Sequence, residues 1–330
     1  MKVLFVNGDG VARLLTMEAC IPAMRDALTA LSRGDVVMPL RSLVRLPDGS
    51  GLLGMMPGYL GAPRSFGLKV VTVMPGNHGT AYDSHQGVVM LFGIEHGEPL
   101  AILDASAITA IRTAAASAAA TDALAREDAG DLALIGSGAQ AKTHLAAMHA
   151  VRPLRRVRLW SRSRANAERF ARAEAGGAGV PIEVLGSAEE AVRGADLVCT
   201  TTASKEPVLK GAWLSPGVHV NAVGSCFPTS RELDTDAVRR ARFYTDCRES
   251  CVNEAGEFLI PRDEGAITDA HLLGELGEVL LGKVEGRAAR DDVTVYESLG
   301  VAVEDLAAAH VIHRRAMETG EGTWLDWGGV

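Results

Sequence analysis

Two spacings of apolar residues alternate along the chain and divide it. Lys2-Val-Leu-Phe-Val6 is a short apolar run that predicts a strand. After Thr16, residues Ile21, Met24, Leu28 and Leu31 recur at the interval of a helix with one buried face, and Gly34 ends it. From Val36 to about Ile102 the period shortens. β-rich runs begin at Arg41, Gly51, Phe66 and Gln86, separated by the turn sequences Pro47-Asp-Gly, Pro75-Gly-Asn and His96-Gly-Glu-Pro. Short strands joined by turns predict a mostly antiparallel sheet. Asp104 then caps an alanine-rich helix that reaches about Leu124.

From Asp131 the pattern becomes a regular alternation. Strands at 132–135, 156–160, 182–185, 196–200 and 218–223 are predicted, with helices at 139–150, 164–175 and 187–193. Such alternation pairs strands in parallel, so the fold class is α/β, a Rossmann-type doubly wound sheet beside a mostly antiparallel α+β domain. The stretch from Val293 to Met317, with Val301, Leu306, Ala309 and Ile312 on one side, predicts an amphipathic helix packing back onto the first sheet. The expected domains are 116–299, and a discontinuous one made of 1–115 and 300–330.

Composition narrows the function. A net charge of −8 over 330 residues disfavours nucleic acid or an anionic membrane as partner. Five scattered cysteines do not suggest a disulfide framework. Cys247 and Cys251 lack a second pair at zinc-ligand spacing, so no metal is expected. The N-terminal apolar run is too short for a signal peptide, and no stretch reaches the roughly 20 apolar residues of a membrane span, which points to the cytoplasm.

The chemistry starts at Leu132-Ala-Leu-Ile-Gly-Ser-Gly-Ala-Gln-Ala141. A buried strand runs into Gly136, Gly138 and then Ala139 and Gln140 at the start of a helix. In that context G-x-G-x-x-A lets backbone amides approach a pyrophosphate at a helix N-terminus. Dinucleotide sites that prefer NAD carry an acid about 20 residues further on, for the ribose 2′-hydroxyl. Here that place holds Ser161, Arg162 and Ser163, hydroxyls and a guanidinium suited to a 2′-phosphate, so the expected cofactor is NADPH rather than NADH. In the first domain Arg41, Lys69 and Arg112 stand in apolar or β-rich settings, where a cation is costly unless paired or facing a cavity. Three such cations could clamp a small carboxylate. Each taken alone could equally be an edge or snorkelling residue.

The ordered motifs Pro39-Leu-Arg-Ser, Gly67-Leu-Lys-Val-Val, Ser84-His-Gln-Gly, Ile111-Arg-Thr-Ala, Gly136-Ser-Gly-Ala-Gln, Asn221-Ala-Val-Gly, Arg231-Glu-Leu-Asp, Gly274-Glu-Leu-Gly-Glu-Val and Ser298-Leu-Gly-Val-Ala-Val-Glu-Asp resemble the ornithine cyclodeaminase/mu-crystallin family over nearly the whole chain. The resemblance implies a homodimer, each subunit pairing a substrate-binding and dimerisation domain with a Rossmann domain. It also implies that Arg41, Lys69 and Arg112 hold the substrate carboxylate, that Ser84 and His85 line the same pocket, and that Val223, Ser298 and Gly300 lie by the nicotinamide. In one respect the chain departs from the cyclodeaminases. They carry an aspartate shortly after Asn-Ala-Val-Gly, and Cys226 stands in that register, leaving a thiol in the substrate pocket where a carboxylate would manage protons. The mu-crystallin-like branch, whose members lack the aspartate, is the closer likeness.

The resulting expectation is an NADPH-dependent reductase of cyclic ketimine carboxylates, Δ1-pyrroline-2-carboxylate or Δ1-piperideine-2-carboxylate, giving L-proline or L-pipecolate. The alternatives are an alanine-type amino-acid dehydrogenase or reductive aminase, an ornithine cyclodeaminase, and a non-catalytic NADPH-binding protein. One methylene of ring size is worth about 1–3 kcal/mol in an apolar pocket, too little for sequence to decide.

Overall fold

Strand β1 (Lys2–Val6) runs into Asn7, whose side chain accepts the Gly10 N–H at 3.0 Å and caps a short helix, α1 (Gly8–Leu14). The sequence pattern does not announce α1, because seven residues with two glycines carry no helical period. Helix α2 (Met17–Arg33) begins after Thr16 and ends at Gly34, which takes φ +81, the left-handed conformation that favours glycine at a helix end. Its buried stripe is Cys20, Met24, Ala27 and Leu28, with Ile21 and Leu31 on its half-buried margins.

The computed structural model describes residues 1–77, 80–177 and 179–328. The chain divides into two compact units, Met1–Arg112 with Val301–Val330, and Thr113–Gly300. In the first, strands β2 (Val36–Val37), β3 (Ser42–Arg45), β4 (Leu52–Leu60), β5 (Ser65–Val73), β6 (His85–Phe92) and β7 (Pro99–Asp104) join β1 and a final strand, Thr323–Asp326, in one sheet. The order is 323–326, β1, β7, β6, β5, β4, β2, with β3 also on β4. Only β1–β7 is parallel among these pairs, so the sheet is mostly antiparallel as expected. The helix Ala302–Thr319 packs on β4 and β5, where Gly58 and Gly67 face each other across the strands. A Cβ on Gly67 would stand 2.0 Å from the Met90 carbonyl and 3.1 Å from Leu306; one on Gly58 would stand 3.3 Å from Ala302. Two bare positions let the helix approach the sheet closely. Helix α3 (Ala105–Leu124) follows β7, and the Asp104 carboxylate accepts the Ala107 N–H at 2.8 Å.

The second unit carries β8 (Asp131–Ile135), α4 (Ala139–Val151), β9 (Arg156–Trp160), β10 (Ile182–Val184), β11 (Leu197–Thr200), β12 (His219–Ala222), β13 (Ala241–Thr245), β14 (Leu272–Glu275) and β15 (Val293–Glu297). Their order is β10, β9, β8, β11, β12, β15, β13, β14, and every pair is parallel. Helices cover the sheet, so its central strands are buried on both faces.

One element departs from expectation. Residues 293–297 are a strand between β12 and β13, and the helix begins only at Ala302, beyond Gly300 at φ +76. All five residues of β15 are buried, so no amphipathic alternation marks them as a strand.

Candidate active site

In the first unit the three cations come together around two acids. Lys69 sits mid-way along β5 on the face turned to the helix Ala302–Thr319, and that helix supplies Glu304 and Asp305. Asp305 bridges two cations, with one oxygen 2.7 Å from Lys69 Nζ and the other 3.0 Å from Arg112 Nε. Glu304 Oε2 lies 2.6 Å from Arg112 Nη1. Both acids are fully buried, and Lys69 and Arg112 nearly so. Burial pushes the Lys69 ammonium down to about 8. Asp305 opposes that shift, and Arg112 and Arg41 add to it, which places all three cations in one field. Burial would raise the Asp305 carboxyl, but Lys69 and Arg112 outweigh it and hold it below its usual range. Lys69 and Arg112 are thus fixed by two buried carboxylates with Arg41 in the same field, a cationic group suited to a carboxylate.

Ser84 and His85 join this group at the start of β6, where Ser84 Oγ lies 3.0 Å from His85 Nδ1. The His85 imidazole is depressed, by desolvation first and then by Lys69. It therefore faces the clamp as a neutral ring near pH 7.

In the second unit Gly136 closes β8 with φ +119, and its N–H donates to the Trp160 carbonyl at 2.8 Å. A Cβ there would lie 2.7 Å from the Thr201 carbonyl, so the turn admits only glycine. Gly138 precedes α4 with extended backbone and no side-chain cap, and a Cβ built on it meets nothing within 4 Å. That open space beside Ala139, Gln140 and the uncapped first turn of α4 fits a pyrophosphate. Ser161 follows β9, and its hydroxyl accepts from Ser137 at 3.0 Å. Ser163 caps the next helix by accepting the Asn166 N–H at 3.3 Å. Arg164 pairs with Glu168, whereas Arg162 is exposed and has no carboxylate partner among the described residues.

Val223, Ser298 and Gly300 also meet at the carboxyl edge of this sheet, the edge where open α/β sheets bind ligands. Val223 donates to Thr200 at 3.1 Å and Ser298 to Ala222 at 2.9 Å, and the Ser298 hydroxyl is buried without a hydrogen-bond partner among the described residues. Cys226 lies just beyond, half-buried against the apolar core of this unit and in the field of Glu297. Thus Arg41, Lys69, Arg112, Ser84 and His85 gather in one unit, and the dinucleotide residues and Cys226 in the other.

Known proteins resemble this chain over nearly its whole length. The family model described as ornithine cyclodeaminase/mu-crystallin family matches residues 2–320. The chain belongs to that family. It is 40% identical over 313 residues to the ketimine reductase mu-crystallin of Mus musculus, covering 94% of this chain and 96% of the mouse protein. It is 34% identical to the Δ1-pyrroline-2-carboxylate reductase of Bacillus cereus, over 98% of this chain and all of the relative. The solved Δ1-pyrroline-2-carboxylate reductase of Thermococcus litoralis, in complex with NADH and L-proline, superposes with a TM-score of 0.95 at 34% identity, covering 97% and 99% of the two chains.

Placed within the ornithine cyclodeaminase/mu-crystallin family, the chain shows site residues that its pattern alone conceals. Glu304 and Asp305 supply the counter-charge of the clamp. A signal for them exists: Asp305 stands four residues before Ala309 on the buried stripe of an amphipathic helix, where an acid needs a partner. A second group, Glu232, Asp246, Glu257 and Glu297, is buried at the carboxyl edge of the parallel sheet. Its members lie far apart in sequence, and no spacing rule joins them.

Proposed function

We propose that this protein is an NADPH-dependent reductase of cyclic ketimine carboxylates, converting Δ1-pyrroline-2-carboxylate or Δ1-piperideine-2-carboxylate to L-proline or L-pipecolate, and that it works as a homodimer. The observation that carries the reading is the clamp: buried Lys69 and Arg112 held by Glu304 and Asp305, with Arg41 in the same field. The reductase names of the mouse and Bacillus relatives support the same class.

In this reading a bound nicotinamide supplies the hydride that adds to the imine carbon. Arg41 and the Nη2 donors of Arg112 hold the substrate carboxylate, and Lys69 adds charge at the same end. Asp305 fixes Lys69 and Arg112 relative to each other, so orientation is set before substrate arrives. A protonated C=N is already an electrophile, and the carboxylate held beside it offsets its charge. Cys226, a thiol in place of the cyclodeaminase aspartate, offers no ionised carboxylate to activate water, which favours reduction over deaminative cyclisation.

The choice of NADPH rests on Arg162, exposed beside Ser161 and Ser163 and without a carboxylate partner among the described residues, and on the lack of an acid at the end of β9. The homodimer rests on the sheet of the first unit. The helix Ala302–Thr319 packs on one of its faces, while Val37, Val44 and Phe66 remain 66%, 55% and 48% exposed in the same sheet. The functional test follows loss of nicotinamide absorbance with each cyclic ketimine, with pyruvate plus methylamine, and with ornithine plus NAD. Oxidation of NADPH by the cyclic imines is expected. Ammonia release from ornithine, without turnover of any imine, would overturn the proposal.

A further inference from the structure

The loops at the carboxyl edge of the parallel sheet are tied to one another by buried acids. Glu232 is completely buried, and its carboxylate accepts three hydrogen bonds: from the Thr202 N–H at 2.6 Å, the Thr202 hydroxyl at 2.6 Å and the Gly224 N–H at 2.7 Å. Thr202 follows β11 and Gly224 follows β12. One carboxylate therefore spans the two loops, one oxygen to each.

The contact continues to the glycine turn. Thr201 donates its N–H to the Ile135 carbonyl at 2.8 Å and its hydroxyl to the same oxygen at 3.1 Å, and its own carbonyl is the atom a Cβ on Gly136 would strike. On the other side, a Cβ on Gly224 would stand 2.0 Å from the Thr202 carbonyl and 2.5 Å from the Glu232 carboxyl carbon. Gly136, Thr201, Thr202, Glu232 and Gly224 thus form one closely packed row. Glu232 is itself held from behind, since its N–H donates to a carboxyl oxygen of Glu257 at 2.7 Å.

We propose that Glu232 is a positioning residue for the dinucleotide: its carboxylate sets the distance between the loops after β11 and β12, and so shapes the floor on which the nicotinamide half of the cofactor rests. The proposal rests on the dinucleotide assignment above and goes beyond it, because Glu232 acts through Thr202 and Gly224. The carboxylate form is required. Two backbone N–H donors approach its two oxygens, and an amide would present an NH2 group to one of them.

The test is Glu232→Gln in the full chain, with Asp234→Ala, two residues along the same segment, as a control that removes a helix cap but leaves the Glu232 carboxylate in place. Three quantities are measured: dissociation constants of NADPH and NADH by fluorescence titration, Michaelis constants for both substrates, and Tm. For Glu232→Gln the dinucleotide dissociation constant and Michaelis constant should rise about 10- to 100-fold, the worth of one charge-assisted hydrogen bond. The Michaelis constant for the ketimine at saturating cofactor should stay within about twofold, and Glu232→Asp, which keeps the charge, should restore part of the loss. Asp234→Ala should lower Tm without moving the dinucleotide constants. Should Glu232→Gln fail to fold, Glu232→Asp carries the same comparison. Unchanged dinucleotide affinity in a folded Glu232 variant, or equal losses in Glu232→Gln and Asp234→Ala at equal Tm, would overturn the proposal. Failure of the unaltered protein to bind either dinucleotide would instead remove the assignment beneath it.

Discussion

Lys69 offers the most direct test of the carboxylate clamp, because its proton decides the charge of the cluster. Below pH 8 Lys69 is an ammonium beside Arg112 and the carboxylates of Glu304 and Asp305. Burial sets the Lys69 ammonium at about 8, even with Asp305 2.7 Å away. Above that value the cluster loses the Lys69 positive charge, and a bound carboxylate loses that counter-charge. A charge-assisted hydrogen bond is worth about 1.5–3 kcal/mol, so full deprotonation should weaken carboxylate binding about 10- to 100-fold. The assay uses pyrrole-2-carboxylate, a planar carboxylate whose nitrogen does not titrate in this range, as a competitive ligand between pH 6.5 and pH 9.5. Affinity should be flat on the acid side and fall by about tenfold per pH unit above 8 until the limit is reached. Lys69→Arg keeps its charge throughout, so its profile should be flat. Constant affinity in the unaltered protein, or the same alkaline fall in Lys69→Arg, would refute the role given to Lys69.

Other consequences can be measured alongside. Arg162→Ala should weaken NADPH about 10- to 100-fold while leaving NADH unchanged, read by titrating both; equal losses for both would remove the 2′-phosphate assignment. Burial depresses His144 to about 4 and His219 to about 3, so each supports the folded state fully above its ordinary value of 6.5 and loses that support as pH falls from there. Unfolding free energies from urea titrations should drop between pH 6.5 and pH 4, by about 3 kcal/mol from His144 alone, and His144→Asn should flatten part of the slope. Glu257 has the opposite sign: burial above all raises it, with the Glu232 N–H opposing, so stability is greatest below its ordinary 4.5 and declines as pH rises towards 8. Glu257→Gln should therefore be less sensitive to pH between 5 and 8 than the unaltered protein, as urea midpoints will show.

Most of the scaffold could be read from periodicity, and particular elements show why the rest could not. Helix α2 and strands β8 and β9 were legible because each carries its own local pattern: one buried helical stripe, or a continuous apolar run bounded by turns. Strands β13, β14 and β15 were not. They are four or five residues long, β15 is buried at every position, and β13 contains Arg242. What makes them strands is the neighbour each pairs with, and pairing is a long-range fact.

The site divides in the same way. Lys69 stood out because a cation inside an apolar strand needs a partner, and Gly136 because a strand, turn and helix surround it. Asp305 lay hidden because an acid in the first turn of a helix reads as an ordinary N-terminal charge, although here it is buried and completes the clamp. Glu232 had still less signature: an acid in a polar loop reads as solvated, and only the loops after β11 and β12 bury it.

The central claim is that hydride passes to the carbon of a cyclic C=N bond. NADPH deuterated at the nicotinamide C4 should be incubated with the protein and Δ1-pyrroline-2-carboxylate, and the amino acid analysed by mass spectrometry and NMR. The account predicts L-proline carrying a single deuterium at the α-carbon from one of the two C4 epimers of the labelled cofactor. Proline without deuterium from either epimer, or labelled cofactor left unconsumed in the presence of every cyclic ketimine, would contradict it.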